Sequence, residues 1–350
     1  MNKESSQHFV REFLFSASDI RQEDRSVKAM LVMDEKKEGW MGIPHGGIGM
    51  GAVMELVRGL KKYPSGGALY PLSAEFRMGG SSVRVGDVLD IVVSAEDGGA
   101  QGEITKSGED FSYISASIAY GKDEPQRRNL IASYLPDTFF DLKEHLIELP
   151  YYKNCFVCGV HRNHPGLKRR FYLVNGERSE KNVVFSTAGF DSDDKATFDL
   201  FQEEGAVHPI APLAVLDETL GWSGFLTSKS GAVTVLIGYT FYRPIYAGEK
   251  LVFFGRTERV RGRPRARVMF WASGGVAAVD AAGRFDIVMT AQGQWMGVPE
   301  LTDQMHRELI PKGMVERALE AAAAGTTGGP STAATVGPHA PPSRGGNDRE

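Results

Sequence analysis

Residues 205–225, GAVHPIAPLAVLDETLGWSGF, form an apolar segment in which Asp217 and Glu218 are the only Asp, Glu, Lys or Arg residues. We predict a helix that begins near Pro212 and is apolar almost all round. Its apolar positions are Leu213, Leu216 and Leu220 on one face and Val215, Trp222 and Leu226 nearly opposite. A helix of this kind is surrounded by protein. Because an ionised carboxylate is rarely buried without a partner, the two acids need either a catalytic or a packing role.

This segment has a counterpart earlier in the chain. Residues 42–60, GIPHGGIGMGAVMELVRGL, share with it the pattern Gly-x-x-His followed by a helix-like apolar stretch. In both copies a predicted strand and then a Gly-acid step into a second strand follow, VGDVLDIVVSAE in the first and AGEKLVFFGRTE in the second. The copies are 163 positions apart from His45 to His208 and 162 apart from Gly86 to Gly248. The sequence therefore predicts a duplicated unit of about 165 residues.

Each copy continues as a series of β-strands. Alternate apolar positions at Val233, Val235, Ile237, Tyr239 and Phe241 are typical of a strand with one buried face. Glycine-containing turns separate the later strands. Each unit is thus predicted to be one helix followed by three or four strands, which indicates the α+β class, with an antiparallel sheet packed on one helix in each unit.

We divide the chain into four segments. Residues 1–122 form the first unit, 123–150 a connector without the Gly-x-x-His pattern, and 151–299 the second unit. Residues 300–350 begin with a short helix and end in a tail of mainly small residues and proline. Because the tail has almost no large apolar side chain, we expect it to be disordered.

Composition and charge narrow the range of functions. Of the 350 residues, 42% are hydrophobic and 24% are charged, which is typical of a globular protein. A net charge of -4 and a pI near 6.1 predict no nucleic-acid partner and no membrane partner. Only two cysteines occur, and the N-terminal residues lack the apolar core of a signal peptide. We therefore expect a cytoplasmic protein that does not span a membrane.

The two copies together resemble the hotdog fold, and their motifs resemble its acyl-CoA thioesterase branch. In that branch His-Gly-Gly stands at the start of the central helix, and a catalytic acid follows nine positions after the histidine. The segment CFVCGVHRNHPGL is similar to segments that open some members. The resemblance implies a double hotdog, which is an internal pseudo-dimer, and leaves a homodimer of double hotdogs open. It also implies an acyl-CoA substrate, whose coenzyme A moiety is part of the substrate, and no separate cofactor.

The second copy has the acid of this pattern. Asp217 stands nine positions after His208 and is the leading candidate for a general base or nucleophile. Pro209, which has no N–H, occupies the place of the first glycine, whose N–H usually binds the oxyanion. Glu218 is the second acidic candidate in this copy.

The first copy has the glycines instead. Gly46 and Gly47 follow His45 and are candidate oxyanion donors, but Met54 stands at the acid position. Glu55 comes one residue later and is displaced by about 100° around the helix. The resemblance implies that acid and glycine come from the same unit, in which case neither copy is complete.

Three functions remain open. A thioesterase would place Asp217 opposite an N–H. A hydratase or dehydratase would place His45 or His208 across the interface between the units from Glu218 or Glu55. A non-catalytic acyl-CoA binding protein would show neither arrangement. Each histidine either caps its helix or takes part in proton transfer.

Two further motifs could bind ligands. The segment RTERVRGRPRAR places Arg261, Arg263 and Arg265 near a hairpin turn, where they could bind the phosphates of coenzyme A. Four potential zinc ligands follow one another at short intervals, Cys155, Cys158, His161 and His164. Because structural zinc usually joins two ligand pairs that are separated by an intervening segment, we predict no metal site from this spacing.

Overall fold

The structure, a computed structural model, describes residues 9–16, 19–60, 69–79, 82–121, 125–135, 146–174, 183–190, 197–263 and 267–327. The predicted α+β class is confirmed, because these residues form a large antiparallel sheet and several helices.

The elements follow one another in this order. The first half contains α1 (Phe9–Leu14), β1 (Arg21–Gln22), β2 (Ser26–Val32), β3 (Glu38–Trp40), β4 (Ile43–Pro44), α2 (Gly46–Arg58), β5 (Leu72–Met78), β6 (Val88–Glu96), β7 (Gly99–Lys106) and β8 (Ser112–Tyr120). The segment predicted as a connector contains α3 (Pro125–Ala132) and β9 (Leu146–Glu148). The second half contains β10 (Phe171–Val174), β11 (Val183–Ala188), β12 (Gln202–Glu203), β13 (Ala206–Val207), α4 (Ile210–Ser228), β14 (Ala232–Phe241), β15 (Lys250–Gly262), β16 (Val268–Val279) and β17 (Phe285–Gly297). Helices α5 (Pro299–Glu308) and α6 (Met314–Thr327) follow.

Thirteen strands form one continuous sheet in the order β1-β2-β6-β7-β8-β5-β14-β17-β16-β15-β11-β10-β9. The strands of the two halves occupy opposite ends of this sheet. They meet where β5 pairs antiparallel with β14, with Phe76 opposite Ile237. The sheets of the two halves therefore run side by side as one surface. A short two-stranded pair precedes each central helix, β3-β4 before α2 and β12-β13 before α4.

Helices α2 and α4 pack directly against each other and are buried over most of their length. A Cβ atom on Gly47 would lie 2.4 Å from Cβ of Ala214, and one on Gly51 would lie 2.4 Å from Cγ1 of Ile210. Both glycines are therefore needed for this close approach. The first turn of each helix contacts the second turn of the other, so the helices run antiparallel and are related by an approximate two-fold axis.

Helix α4 is apolar on all sides, as predicted, but it begins at Ile210 and not near Pro212. The earlier start has a local cause. Pro209 already has helical dihedral angles, φ −53° and ψ −27°. In addition, Nδ1 of His208 accepts the N–H of Ile210, which would otherwise have no acceptor at the start of the helix.

A second, smaller core lies on the face of the sheet opposite the central helices. Along β15, Phe253 belongs to the main core and Phe254 to the smaller one, which is the alternation expected of a strand buried on both faces. Ile131 and Tyr134, from the predicted connector, cover the smaller core. Among the helices of the described residues, none combines the length and the apolar character that crossing a membrane requires.

Candidate active site between the central helices

The carboxylate of Asp217 lies beside the N-terminus of α2. Asp217 is 8% exposed, and a Cβ atom placed on Gly46 would lie 3.4 Å from its Oδ2 atom. The hydroxyl of Thr234, on β14, donates a hydrogen bond of 2.7 Å to Oδ1. The acid of the second half therefore faces the first glycine of the first half.

The acid and the glycine that stand together come from different halves of this chain, whereas the resemblance implied that they come from the same unit. Because the helices cross antiparallel, the middle of α4 lies against the first turn of α2. Gly46 is the first residue of α2, so its N–H has no acceptor within the helix. None of the other described residues accepts a hydrogen bond from this N–H. Asp217 and an available N–H donor therefore stand together.

The position related to this site by the approximate two-fold axis has neither the acid nor the N–H donor. Met54 is 163 positions before Asp217, and Gly46 is 163 positions before Pro209. The contact between Gly51 and the residue after Pro209 brings the first turn of α4 against the middle of α2. Met54 supplies no acid there, and Pro209 supplies no N–H. The two departures from the motif therefore fall on one side of the pseudo-dimer, and the other side keeps both groups.

The surroundings of Asp217 come from both halves of the chain. Burial raises the pKa of Asp217, against the opposing effects of His45 and of hydrogen bonds from Thr234 and Trp295. Tyr113, on β8, lies near enough that the negative charge of Asp217 adds to burial in raising the pKa of the tyrosine. The carboxylate is thus oriented by donors in a largely desolvated setting.

Two histidine–glutamate pairs cross between the central helices. His45 Nε2 lies 3.1 Å from Oε2 of Glu218, and His208 Nε2 lies 3.2 Å from Oε2 of Glu55. In each ring Nδ1 accepts the N–H of the residue two positions later, at 3.0 Å and 3.1 Å respectively. Each histidine therefore caps its own helix and pairs with an acid of the other helix.

The charge of His45 follows from these bonds. Burial disfavours the charged ring, whereas the hydrogen bond with Glu218 and nearby negative groups favour it. A protonated ring conflicts with the cap, because Nδ1 accepts the N–H of Gly47 and must carry no proton to do so. We assign the neutral ring with its proton on Nε2, because Nδ1 accepts the N–H of Gly47 in this structure. The N–H of Gly47 is engaged in this cap, so of the two predicted donors only Gly46 is free.

Sequence reasoning missed Thr234 because of a β-bulge. The pairing of β14 shifts between Thr234 and Leu236. After the bulge, Ile237 and Tyr239 are buried as the alternation predicted. Before it the alternation is reversed, with Val233 40% exposed and Thr234 directed at α4. A bulge changes which face a side chain occupies, and apolar alternation alone does not show it.

Of the predicted phosphate ligands, Arg261 lies on the face of the sheet away from α4. Val260 pairs with Phe270, so both side chains lie on the face of the sheet where Phe270 packs against α4. Because side chains alternate along a strand, Arg261 lies on the other face. Arg263 is exposed, and Arg265 lies outside the described residues. Binding of coenzyme A phosphates by these arginines stays a prediction.

No family model and no curated protein matches this sequence. Among solved structures, a presumed thioesterase from Novosphingobium aromaticivorans is 13% identical, with a TM-score of 0.50 over 81% of this chain and 99% of that chain. An acyl-CoA thioesterase II from Mycobacterium marinum is 14% identical, with a TM-score of 0.45 over 83% of this chain and 96% of that chain. The dehydratase domain of PpsC from Mycobacterium tuberculosis, in complex with C12:1-CoA, is 13% identical, with a TM-score of 0.46 over 83% of this chain and 99% of that chain. At such identities the similarity concerns the fold. With two central helices packed on one shared antiparallel sheet, this chain has the double hotdog fold that its sequence predicted.

Proposed function

We propose that this protein hydrolyses an acyl-CoA thioester, with Asp217 as the general base. One observation carries the proposal: the buried carboxylate of Asp217 stands beside Gly46, the first residue of α2, whose N–H has no acceptor within the helix. Thioester hydrolysis needs a positioned base and an N–H donor where negative charge develops. Both groups are present on the same side of the pseudo-dimer.

In the proposed reaction the carboxylate of Asp217 takes a proton from a water molecule, whose oxygen attacks the carbonyl carbon of the thioester. The charge that forms on the carbonyl oxygen is stabilised by the N–H of Gly46, at the positive end of the α2 dipole. The C–S bond then breaks, and the proton on Asp217 passes to the departing coenzyme A thiolate. Thr234 holds the carboxylate in position through the bond to Oδ1. No cofactor takes part other than the coenzyme A moiety of the substrate.

A hydratase or dehydratase is the second candidate, since each histidine lies across from a glutamate of the other half. A histidine that exchanges protons with a substrate needs a free ring nitrogen. In His45 and His208 both nitrogens are engaged, one by the helix cap and one by Glu218 or Glu55. These pairs are better explained as contacts that hold the two helices together, so thioester hydrolysis is favoured.

The substrate class rests on the fold that this chain shares with the presumed thioesterase from Novosphingobium aromaticivorans. Arg261 and Arg263 are proposed ligands of the coenzyme A phosphates. A cytoplasmic location and a homodimer of double hotdogs also stay predictions.

The test is a screen in which the full-length protein is incubated with short, medium, long and aromatic acyl-CoAs. The release of free thiol is the measured signal. The 3-hydroxyacyl-CoA and 2-enoyl-CoA pair is assayed in parallel for hydration and dehydration. We expect thiol release from at least one class of acyl-CoA and no interconversion of the pair. Interconversion without thiol release would favour the second candidate. Binding of acyl-CoA without either reaction would identify a binding protein.

A further inference from the structure

Four side chains of types that bind metals lie together next to the Asp217 site. Cys155 and Cys158 are 1% and 3% exposed, and His45 is also buried. His45 Nε2, Cys155 Sγ and Glu218 Oε2 all lie within 4.8 Å of one another. The Cys158 thiol lies near enough to Glu218 to donate to it, but its sulfur is outside this group of mutually close donor atoms.

The distances between the donor atoms match those of a tetrahedral zinc site. Zinc binds nitrogen and oxygen near 2.0 Å and sulfur near 2.3 Å, so a tetrahedron places N and O ligands about 3.3 Å apart and S and O ligands about 3.5 Å apart. In this chain His45 Nε2 and Glu218 Oε2 are 3.1 Å apart, and Cys155 Sγ and Glu218 Oε2 are 3.5 Å apart. These two pairs of donors already stand at ligand spacing, whereas Cys158 Sγ lies outside the group of mutually close donor atoms and has to move toward it to become the fourth ligand.

The backbone around the cysteines fixes the position of one sulfur. Cys155 Sγ accepts the N–H groups of Val157 and Cys158, both at 3.3 Å. The turn closes through the N–H of Gly159 to the carbonyl of Cys155, and a Cβ atom on Gly159 would lie 2.5 Å from that carbonyl oxygen. These contacts hold Cys155 Sγ in place beside the carboxylate of Glu218.

The charge of Arg162 fits such a site. This side chain is 5% exposed, and only Nη2 has an acceptor, the carbonyl of Lys36 at 2.7 Å, whereas Nε and Nη1 are buried without a partner. Cys155 and Cys158 lie near enough that a negative charge on either sulfur acts on this guanidinium. Two thiolates, one carboxylate and a divalent cation carry a net charge of about −1, which one guanidinium balances.

We propose that Cys155, Cys158, His45 and Glu218 bind one zinc ion. Two sulfur ligands with one nitrogen and one oxygen suit zinc, and four protein ligands make a closed, structural site. The ion would join the start of α2, the middle of α4 and the Cys-x-x-Cys turn. It would thereby fix Gly46 relative to Asp217.

Zinc binding would change the position of the ring proton on His45, and the equivalent histidine–glutamate pair has different neighbours. Coordination through Nε2 moves the ring proton of His45 to Nδ1, so the capping bond from Gly47 is given up for the metal bond, which is the stronger of the two. The equivalent pair, His208 and Glu55, has no cysteine beside it and lies instead with Glu203, while Glu55 also forms ion pairs with Arg11 and Arg58.

The sequence spacing pointed to a different ligand set. His161 and His164 are both exposed, and the ring of His161 packs edge-on against Tyr151. Neither belongs to the buried cluster. They therefore serve as matched controls from the same segment.

The test is the metal content of the full-length protein purified without chelator, measured by inductively coupled plasma mass spectrometry. We expect one zinc per chain, its loss in Cys155→Ser and Cys158→Ser, and its retention in His161→Ala and His164→Ala. Replacement of zinc by cobalt should give a thiolate-to-cobalt charge-transfer band that is absent in Cys155→Ser. Where a serine variant does not fold, removal of the metal from the wild type and titration with zinc should restore one equivalent.

Three results would overturn the proposal: no zinc in the wild type with no uptake of added zinc, retention of zinc in both serine variants, or its loss in the histidine variants. None of these measurements depends on turnover. The metal site and the thioesterase activity can therefore fail separately.

Discussion

Replacing Gly46 with proline should remove the N–H donor of the candidate site and leave α2 folded. Gly46 is the first residue of the helix, where proline is favoured and where no intrahelical hydrogen bond is lost. His45 has φ −69° and ψ 131°, the extended conformation that a residue before proline prefers. The chain already tolerates proline at the symmetry-related place, Pro209. We therefore expect the thermal midpoint to stay close to that of the wild type.

The expected loss of activity follows from the lost donor. Removal of one oxyanion donor costs about 2.7–4 kcal/mol, which is a decrease of about 100- to 1000-fold in kcat. Proline also adds a Cβ atom, which would lie 3.4 Å from Oδ2 of Asp217 and 3.7 Å from Cε of Met78, both ordinary contact distances. Gly46→Ala adds the same Cβ atom and keeps the N–H. This variant should retain at least roughly a tenth of the wild-type rate, because it loses no donor.

The assay is thiol release with the best acyl-CoA, with kcat and KM determined for each variant. Pro209→Gly is the symmetric control and should leave kcat within about twofold of the wild type, since the donor for Asp217 is Gly46. Wild-type turnover by Gly46→Pro would refute the pairing of Asp217 with Gly46. A large rise in kcat for Pro209→Gly would restore the expectation that acid and donor belong to the same half.

Three further predictions concern other parts of the molecule. Thr234→Val removes a hydrogen bond to a carboxylate, worth about 1.5–3 kcal/mol, and should lower kcat by roughly 10- to 100-fold; an unchanged kcat would show that the hydroxyl does not orient the base. Burial tends to raise the pKa of Glu258, but hydrogen bonds, the one from Tyr134 first among them, lower this pKa below its ordinary value of 4.5. The contribution of Glu258 to stability is therefore complete above that ordinary value and is lost as the pH falls through the folded-state pKa. The thermal midpoints of the wild type and Glu258→Gln should therefore differ at pH 7 and converge in acid, and a constant difference would contradict the assignment. Replacing Arg261 and Arg263 with glutamine should weaken coenzyme A binding, most strongly at low ionic strength, and equal affinity in calorimetry would exclude these arginines as phosphate ligands.

Much of the fold could be predicted from the sequence, for a physical reason. The sequence of α4 is apolar almost all round, which predicts a helix enclosed by protein. The alternation of apolar residues in the following strands predicts the sheet that encloses it. The candidate acid could be found for the same reason, because Asp217 is a charged residue in a segment that is otherwise apolar. The start of α4 was misplaced because the cap by His208 is a contact of the folded chain.

The composition of the site could not be predicted, since it depends on how the helices cross. The sequence shows Met54 and Pro209 as defects of separate units, whereas the antiparallel packing of α2 and α4 brings both to one side. The same packing joins Gly46 to Asp217. The Cys155 cluster likewise forms between residues that are distant in the chain, so sequence spacing does not show that His45 and Glu218 lie beside Cys155.

The central claim is that Asp217 is the carboxylate that activates water. Asp217→Asn tests it most directly, because asparagine keeps the shape of the side chain and an oxygen that accepts the bond from Thr234 but cannot act as a base. The account predicts that kcat for the best acyl-CoA falls by about 100-fold or more, with KM and the thermal midpoint little changed. Hydrolysis by Asp217→Asn at the wild-type kcat would contradict it.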